Sequence, residues 1–463
     1  MRVSLRDMGT LKTADFEVGE LTVICGKNNT GKTYAVYALY GFLELWREFV
    51  KIDFGARHID VLKSTGSTIL DLVEITEKLY QALDKGCAAY SSVLHKIFAA
   101  RIQLFSSARF SLTLDSERIL LDQPFERTIR SRETNLIYFR KLPQEKTLQI
   151  SWMQEGKQRE IPVSVIERMV HDALFDLLLV PALPPVFMAS AERTGATIFA
   201  RELDFARNRL LEQMGDFGKD LDVIKLMSRA YGSYALPVTK NVDFTRNYNE
   251  IVKNDSFLMN KYPDILKDFN DLIGGEYRVI QNQMHFQSRE GRVQLTMNES
   301  SSAVRSLLTI GLYLRHMAEP GAMLMVDEPE INLHPENQRR LARLFARLIN
   351  AGIKVFVTTH SDYLIKEWNT LIMLNYLPEA SRAPIMKKYG YREDELLSVE
   401  RLRVYNAGLE LRLLNGNVRK TRVYTLEPAD IDSRLGIEVK DFDDTISKMT
   451  TIQDEILEEG EVL

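Results

Sequence analysis

The chain has 463 residues, of which 45% are hydrophobic and 27% are charged. At roughly 150 residues per domain, this length predicts about three domains, or one domain with a large insertion. The 60 basic and 64 acidic residues give a net charge of −4, which argues against a uniformly cationic surface for nucleic acid but leaves room for one local basic groove.

Cysteine content and the apolar segments bear on the compartment. Cys25 and Cys87 are the only cysteines, too few for a disulfide scaffold or a cysteine-based zinc site, so we expect a reducing compartment. The N-terminal residues contain no apolar segment of the signal-peptide kind. The longest apolar run, Leu177–Ala189, contains three prolines and is shorter than the about 20 residues that a membrane helix needs. We therefore expect a cytoplasmic protein that has no membrane partner.

Strand-like and helix-like patterns alternate along the chain. The predicted elements, in chain order, are strands over Val3–Leu5, Ala14–Val18 and Leu21–Cys25, a helix over Tyr34–Trp46, helical residues 59–100, β-rich residues 102–162, a helix over Val163–Leu179, mainly helical residues 199–272, hairpin segments within 276–297, a helix over Ser302–Met317, a buried strand over Ala322–Val326, a helix over Pro335–Asn350, a buried strand over Ile353–Thr358 and an acidic helix over Phe442–Glu459. Because β and α elements alternate at both ends, we predict an α/β fold with one domain split by an insertion.

The pattern predicts four segments. Residues 1–55 and 275–375 form the two parts of the split domain, which we call the head. Residues 56–274 form an inserted lobe of mixed β and helical structure, and residues 376–463 form a C-terminal extension. Residues 200–272 show no sustained heptad repeat, so we expect the insertion to be compact and not a coiled-coil arm.

A phosphate-binding loop follows the third predicted strand. The segment GKNNTGKT matches the pattern G-x-x-x-x-G-K-[ST] and stands between an apolar strand and a helix, the context that this motif requires. Its two glycines allow backbone N–H groups to face phosphate oxygens, and the helix N-terminus adds its dipole. Lys32 is predicted to reach the β- and γ-phosphates of ATP, and the Thr33 hydroxyl to bind Mg²⁺. The predicted nucleotide-binding residues are Gly26, Lys27, Asn28, Asn29, Thr30, Gly31, Lys32 and Thr33.

A pair of acidic residues ends an apolar strand further along the chain. The segment AMLMV is followed by Asp327 and Glu328. A buried parallel strand delivers its last residues to the edge of the sheet where nucleotides bind. We predict that Asp327 holds Mg²⁺ through water and that Glu328 is the catalytic base that polarises the attacking water. Such a pair alone also fits an exposed acidic turn, but the phosphate loop favours the catalytic interpretation.

The residues around this acidic pair resemble a known family. The stretch DEPEINLHP, residues 327–335, is similar to the DEPExxLHP stretch of ABC-type ATPases of the RecF, SMC and OLD kind. The resemblance covers residues 1–55 and 275–375 and implies an ABC-type P-loop ATPase head, with residues 332–334 crossing to a partner subunit. It also implies that His360, after the next buried strand, is the switch histidine that contacts the γ-phosphate, although a lone histidine is more often structural.

ABC-type heads hydrolyse ATP as dimers, so the resemblance also implies a signature segment that contacts ATP held by the partner head. The candidate is NESSSAVR, which begins a helix shortly before the acidic pair. It departs from the LSGGQ of transporter ATPases, because serine and alanine replace two glycines. Ser301 and Ser302 are the first candidates for the phosphate contact. An ordinary serine-rich helix N-cap is the alternative interpretation.

A second, weaker similarity lies at FMASAERTG, residues 187–195. OLD-like ATPases carry a PAERSG-like segment near the nucleotide. Arg193 in this segment can pair with phosphate or with an acid at a subunit interface, and a structural ion pair is an equally good interpretation. The sequence leaves these alternatives open.

Full OLD nucleases also carry a C-terminal TOPRIM domain with acidic metal ligands. The candidates in this chain are Asp430-Ile431-Asp432 and the DFDD of residues 441–444, and neither follows a convincing buried strand. Helix caps and solvated acidic turns explain them better. We therefore expect an ATPase without a nuclease domain of its own.

The leading hypothesis is an Mg²⁺-dependent, ATP-hydrolysing switch that forms a homodimer of heads or a higher homo-oligomer. The resemblance suggests the ATPase subunit of a bacterial anti-phage defence system of the Septu or PARIS kind, which controls a separately encoded nuclease or toxin. The alternatives are a RecF-like DNA-repair ATPase that clamps duplex DNA and an ATP-locked scaffold with very slow turnover. A transporter ATPase fits poorly because of the long insertion. Nucleic acid stays open as a partner.

Overall fold

The chain divides into two compact units. The first comprises residues 1–4, 42–93 and 109–185, and the second comprises residues 5–41, 94–108 and 186–463. The computed structural model describes residues 1–115, 122–131, 134–153, 161–198, 234–289, 293–413, 419–439 and 448–456. Within these ranges, no helix has both the length and the apolar character of a membrane span.

Strands and helices alternate in both units. The strands are β1 (Arg2–Met8), β2 (Leu11–Glu17), β3 (Leu21–Cys25), β4 (Ser67–Asp71), β5 (Arg109–Thr113), β6 (Phe125–Ser131), β7 (Thr134–Lys141), β8 (Thr147–Trp152), β9 (Val186–Ala189), β10 (Gly275–Ile280), β11 (Gln283–Ser288), β12 (Gln294–Thr296), β13 (Met323–Asp327), β14 (Lys354–Thr359), β15 (Leu402–Arg412), β16 (Thr421–Pro428), β17 (Ile431–Asp432) and β18 (Gly436–Ile437). The helices are α1 (Lys32–Phe49), α2 (Ala56–Thr65), α3 (Leu72–Ile97), α4 (Val163–Leu178), α5 (Arg193–Ile198), α6 (Leu236–Arg246), α7 (Tyr248–Ile251), α8 (Phe257–Lys261), α9 (Pro263–Ile273), α10 (Ser302–His316), α11 (Pro335–Asn350), α12 (Asp362–Tyr376) and α13 (Glu379–Tyr389).

Parallel strands form the centre of the second unit. Its main sheet runs in the order β1, β2, β16, β15, β3, β14, β13, β9, and the last five of these strands are parallel to one another. Every residue of β3 and of β13 is buried, as expected for parallel strands that are covered on both faces. The α/β fold class that the sequence predicts is therefore confirmed.

The hydrophobic core of the second unit includes residues of helices α10, α11 and α12. Leu307 and Leu314 of α10, Phe345 of α11 and Trp368 of α12 are fully buried. Each of these helices begins after a residue whose side chain accepts a hydrogen bond from a backbone N–H of the first turn, and these residues are Ser301, His334 and Ser361. Such caps satisfy N–H groups that have no partner inside the helix.

The first unit contains an antiparallel sheet in the order β4, β8, β7, β6. Exposed and buried residues alternate strictly along β4, as in a strand with one face on the core. Helix α4 buries one apolar stripe that includes Ile166, Val170, Leu174 and Leu177. Within the described residues, β5 to β8 fall in the β-rich range 102–162 and α4 follows them, as the sequence predicts.

The units do not follow the predicted segments. β15 and β16 fall in residues 376–463, the expected C-terminal extension, yet β15 pairs in parallel with β3 and β16 pairs with β15. Residues 186–198 and 234–274, which lie inside the expected insertion 56–274, belong to the second unit. Pairing between strands that are far apart in the chain leaves no local pattern, which is why the sequence does not show it.

Several sequence predictions lie partly or wholly outside the described residues. Residues 199–233 of the helical middle and the acidic residues 441–444 are among them, and the C-terminal helix is described only over residues 448–456. Asp430 and Asp432 lie at the short β17–β18 pair. The part of the chain that the structure describes contains no group of three or more His, Cys, Asp or Glu side chains that could hold a metal ion.

A buried arginine connects α11 to two neighbouring segments. Arg347 is 2% exposed and pairs with Asp264 and Asp268 of α9 and with Asp394. Asp268 also pairs with Arg392. Because the guanidinium of Arg347 neutralises three carboxylates at once, its loss would leave those acids facing one another without their shared counter-charge.

We expect Arg347→Met to lower the free energy of unfolding by about 2–3 kcal/mol, less than for a fully buried pair because solvent screens the acids. The matched control is Arg340→Met, because Arg340 is half exposed and pairs with Glu336 at the surface. The control should lose less than about 0.5 kcal/mol. Urea unfolding measures both, and equal losses would contradict the structural role of Arg347.

Candidate nucleotide-binding site

Three adjacent strands end at the same edge of the main sheet. β3 leads into the phosphate loop, β14 into His360, and β13 into Glu328. The parallel register aligns the last residue of β14 with the last residue of β3, and Thr358 with Asp327. Because β14 lies between β3 and β13, His360 lies between the phosphate loop and the acidic pair.

Glycine is required at the start of the phosphate loop. Gly26 has a φ of 136°, and a Cβ at this position would lie 2.4 Å from the carbonyl oxygen of Ala407 on β15. A larger residue would force the loop away from β15. Helix α1 then begins at Lys32 and has no acidic residue in its first turn, so the partial positive charge of its N-terminus remains available to an anion.

The Lys32 ammonium lies inside the loop. Its side chain is 5% exposed, and Nζ donates to the carbonyl oxygens of Gly26 at 3.0 Å and Lys27 at 2.8 Å. Nζ also lies 3.4 Å from Nδ1 of His360. Burial lowers the pKa of Lys32, and nearby carboxylates, Glu328 foremost, oppose that shift. The ammonium is thus placed where phosphate oxygens can replace its carbonyl partners.

His360 connects the lysine to the predicted base. Its Nε2 lies 2.8 Å from Oε1 of Glu328. The tautomer that carries its proton on Nε2 donates to this carboxylate and accepts from Lys32 at Nδ1, so it satisfies both contacts. The hydrogen bond from His360 lowers the pKa of Glu328. Glu328 is therefore ionised at neutral pH, as a general base must be.

Asp327 is buried beside Glu328. It is 2% exposed, and the Thr358 hydroxyl donates a hydrogen bond to its Oδ1. Burial raises the pKa of Asp327 to about 6. A neighbouring cation would favour the charged form of this carboxylate, so the position suits the Mg²⁺ role that the sequence predicts.

The sequence analysis assigned no role to Glu330, which the structure brings into the site. Glu330 accepts hydrogen bonds from the backbone N–H of His360 at 2.6 Å and from the Thr359 hydroxyl at 2.9 Å. It thereby holds the backbone that carries the histidine. The sequence signal that could have indicated a role for Glu330 is the pair of threonines at the end of the apolar strand β14. Buried polar side chains at such a place need hydrogen-bond partners on a neighbouring segment.

The phosphate loop, Glu328 and His360 line one cavity of about 760 Å³, a size that suits a nucleotide. The fit to ATP rests on the glycine-dependent close approach of the loop to β15, the buried Lys32 ammonium and the free start of α1. Thr33 is exposed in the first turn of α1, and Mg²⁺ bound with few protein ligands takes phosphate and water oxygens as the others. The loop residues that line the cavity are Gly26, Lys27, Asn28, Asn29, Thr30, Gly31, Lys32 and Thr33.

The signature serines lie apart from this cavity. Ser301 is the N-cap of α10, and its hydroxyl accepts from the N–H of Val304 at 3.3 Å, so the helix-cap interpretation holds for this residue. Ser301 and Ser302 are both exposed and do not line the cavity. Their exposure leaves them accessible to a second molecule, which a contact with ATP of a partner head requires.

Arg193 binds none of the partners that the sequence analysis considered, which were phosphate, an acid on another subunit and an acid in a structural ion pair. It is completely buried, does not line the cavity, and donates to the carbonyl oxygens of Ser190, Ser306, Asp327 and Glu328. A side chain without exposed surface does not reach an acid on another subunit. Burial lowers its pKa, and carboxylates led by that of Asp327 oppose the shift.

The family model described as "AAA domain, putative AbiEii toxin, Type IV TA system" matches residues 98–366, more than half of the chain. No curated protein matches the sequence.

Three solved structures of SMC heads are similar to the chain. One is an SMC head bound to the C-terminal winged-helix domain of ScpA (12% identity, TM-score 0.34, covering 91% of this chain and 97% of that one). Another is the SMC head domain from Thermotoga maritima (12% identity, TM-score 0.30, covering 93% and 98%). The third, with an extended coiled coil and bound to the C-terminal domain of ScpA, derives from Pyrococcus furiosus (11% identity, TM-score 0.31, covering 98% and 98%).

The matched residues include the candidate signature segment, the acidic pair and His360. The phosphate loop precedes the matched residues in the sequence. It follows β3, which pairs in parallel with β14 of the matched part. The chain therefore belongs to this AAA-domain family.

Proposed function

We propose that the chain is a Mg²⁺-dependent ATPase switch that converts ATP and water to ADP and phosphate, and that it is the sensor subunit of a bacterial anti-phage defence system. The observation that carries the ATPase assignment is the contact series Lys32, His360, Glu328 within one cavity. The toxin–antitoxin description of the matched family supports the defence role. In this proposal the switch controls a separately encoded nuclease or toxin, as in systems of the Septu or PARIS kind.

The chemistry follows from the contacts. Lys32 turns from the loop carbonyls to the β- and γ-phosphates, where its charge stabilises the negative charge that develops during transfer. Glu328 accepts a hydrogen bond from the attacking water and orients it. Thr33 and Asp327 are the residues that would hold Mg²⁺, which would offset the negative charge of the phosphates.

In this mechanism His360 has two alternative hydrogen-bond acceptors. In the structure it donates to Glu328, whereas a γ-phosphate in the cavity would offer a second acceptor. When His360 turns to phosphate, the Glu328 carboxylate is released to the water. The histidine thus makes the availability of the base depend on the presence of the γ-phosphate.

The proposed active form is a homodimer of heads or a higher homo-oligomer. Ser301 and Ser302 are exposed and lie outside the cavity of their own head. We propose that they contact the γ-phosphate held by the partner head. ATP then joins two heads and hydrolysis releases them, so the output is a change of assembly delivered to the effector.

The first test removes the loop ammonium. Lys32→Ala should weaken ATP binding roughly 100-fold, because charge-assisted hydrogen bonds to phosphate are lost. Titration with a fluorescent ATP analogue measures the affinity. Lys78→Ala is the control, since Lys78 is partly exposed and pairs with Glu74 one turn away. Unchanged affinity in Lys32→Ala would refute the phosphate-loop assignment.

The second test removes the base and keeps the fold. Glu328→Gln should bind ATP, lower turnover about 10²–10⁴-fold, and accumulate a nucleotide-bound oligomer that size-exclusion chromatography with light scattering detects. Adding Ser301→Ala and Ser302→Ala to Glu328→Gln should prevent that oligomer while ATP binding to single heads persists.

Glu336→Gln is the matched control for the base, because Glu336 is an exposed acid in the first turn of α11 and pairs with surface arginines. Its turnover should stay within about twofold of the unmodified chain, as for most surface changes. Turnover in Glu328→Gln equal to that of the unmodified chain would show that another group is the base.

The defence role is tested through the partner. The protein encoded next to this chain is co-expressed with Glu328→Gln and should co-elute in ATP but not in ADP, and a nuclease or toxin would support the proposal. Retention of duplex DNA by the chain alone, with a salt dependence equivalent to several phosphate contacts, would favour the RecF-like alternative. Co-elution that does not depend on the nucleotide would contradict a switch.

A further inference from the structure

The Arg193 guanidinium donates hydrogen bonds to backbone carbonyl oxygens of four residues. Nε donates to the carbonyl oxygen of Ser306 at 2.8 Å, Nη1 to those of Ser190 at 2.9 Å and Asp327 at 2.7 Å, and Nη2 to that of Glu328 at 2.9 Å. The side chain is 0% exposed. Burying a charge is costly unless its donors are satisfied, so these four acceptors are what keeps the guanidinium in place.

The four acceptors include parts of two functional elements. Ser306 lies on α10, one turn after the proposed signature serines. Asp327 ends β13, and Glu328 carries the proposed base. One side chain therefore joins the helix that carries the proposed signature serines to the turn that carries the proposed base.

A second contact joins the same helix and turn. The Ser306 hydroxyl lies 2.9 Å from the carbonyl oxygen of Ala303 and 3.3 Å from that of Ile331. The backbone N–H of Ile331 in turn donates to the carbonyl oxygen of Glu328 at 3.3 Å. The Glu328 carbonyl thus receives one hydrogen bond from Arg193 and one from its own turn.

The turn needs such support because its backbone is strained. Glu328 has a φ of 50° and Asn332 a φ of 63°. A positive φ is sterically unfavourable for a glutamate, and it persists only when neighbouring groups hold the backbone in place. The position of the base is therefore sensitive to the groups that bind its carbonyl oxygen.

We propose that Arg193 is a positioning residue that makes the conformation of the Glu328 turn depend on the position of α10. The inference rests on the proposed function, in which the start of α10 engages ATP held by the partner head. A shift of α10 on engagement moves the Ser306 carbonyl, and Arg193 passes that movement to the Glu328 carbonyl. Since Glu328 acts on ATP in its own loop, occupancy of one site controls hydrolysis in the other.

The link is tested first without nucleotide, by amide hydrogen exchange. In Arg193→Lys, which keeps the charge but loses the planar set of donors, residues 328–334 should exchange at least about tenfold faster, as expected for a locally destabilised turn. Residues 26–33 of the phosphate loop should exchange as in the unmodified chain. Arg193→Lys that folds and shows unchanged exchange in residues 328–334 overturns the proposal.

Ser306→Ala provides a milder variant that leaves the buried guanidinium untouched. It should give a smaller rise in the exchange of residues 328–334, because it removes only the hydroxyl contact with the Ile331 carbonyl. If Arg193→Lys does not fold, Arg193→Gln is measured in its place, and unchanged exchange of residues 328–334 in that variant overturns the proposal. Thr309→Val is the matched control on the same helix, because the Thr309 hydroxyl is buried without a hydrogen-bond partner in the described ranges. Equal effects of Ser306→Ala and Thr309→Val would overturn the proposal.

The second test is kinetic. With turnover normalised to the number of ATP-binding sites, Arg193→Lys should lower kcat at least about tenfold and change the ATP affinity less than about twofold, a split that loss of folded protein does not produce. The Hill coefficient of hydrolysis should fall toward one. A normalised kcat equal to that of the unmodified chain overturns the proposal.

The two tests separate this inference from the function on which it rests. If the unmodified chain neither binds nor hydrolyses ATP, the proposed function fails, and hydrogen exchange still decides whether Arg193 holds the turn. If the chain hydrolyses ATP and Arg193→Lys leaves both exchange and kcat unchanged, the proposed function stands and the inference fails.

Discussion

The parallel register of β3, β14 and β13 is the constraint on which the rest of the site depends. The strands are largely buried, Asp327, Thr358 and Thr359 stand at their carboxyl ends, and the register brings those ends to one edge. Thr358 reaches Asp327 and Thr359 reaches Glu330 only in this alignment. A slip of β14 by one residue would turn both threonines to the opposite faces.

Charge is concentrated at this edge in compensating pairs. Lys32 and Arg193 are buried cations, and the carboxylates that oppose the lowering of their pKa include those of Asp327 and Glu328. Burying each charge alone would be costly, whereas opposite charges at short range offset that cost. Because these charged groups are close together, binding of a phosphate or a magnesium ion would change the electrostatic potential at each of them.

The C-terminal part of the chain shapes a loop that the N-terminal part encodes. β15 pairs with β3, and its Ala407 carbonyl approaches Gly26 so closely that a Cβ would not fit. The Cys25 thiol, one residue before the loop, donates to Asn406 of the same strand at 3.0 Å. The strand that leads into the phosphate loop therefore lies between β15 and β14.

The sequence by itself determined the α/β class, the phosphate loop and the acidic pair, because these depend on residue types at short spacing and on local apolar patterns. It also predicted the helix and strand positions around Ser302–His316 and Met323–Asp327. Only the tertiary structure showed that β15 belongs to the main sheet and that Arg193 binds backbone carbonyls in place of an acid. Strand pairing and burial arise from contacts between residues far apart in the chain, and such contacts leave no periodic signal in the sequence.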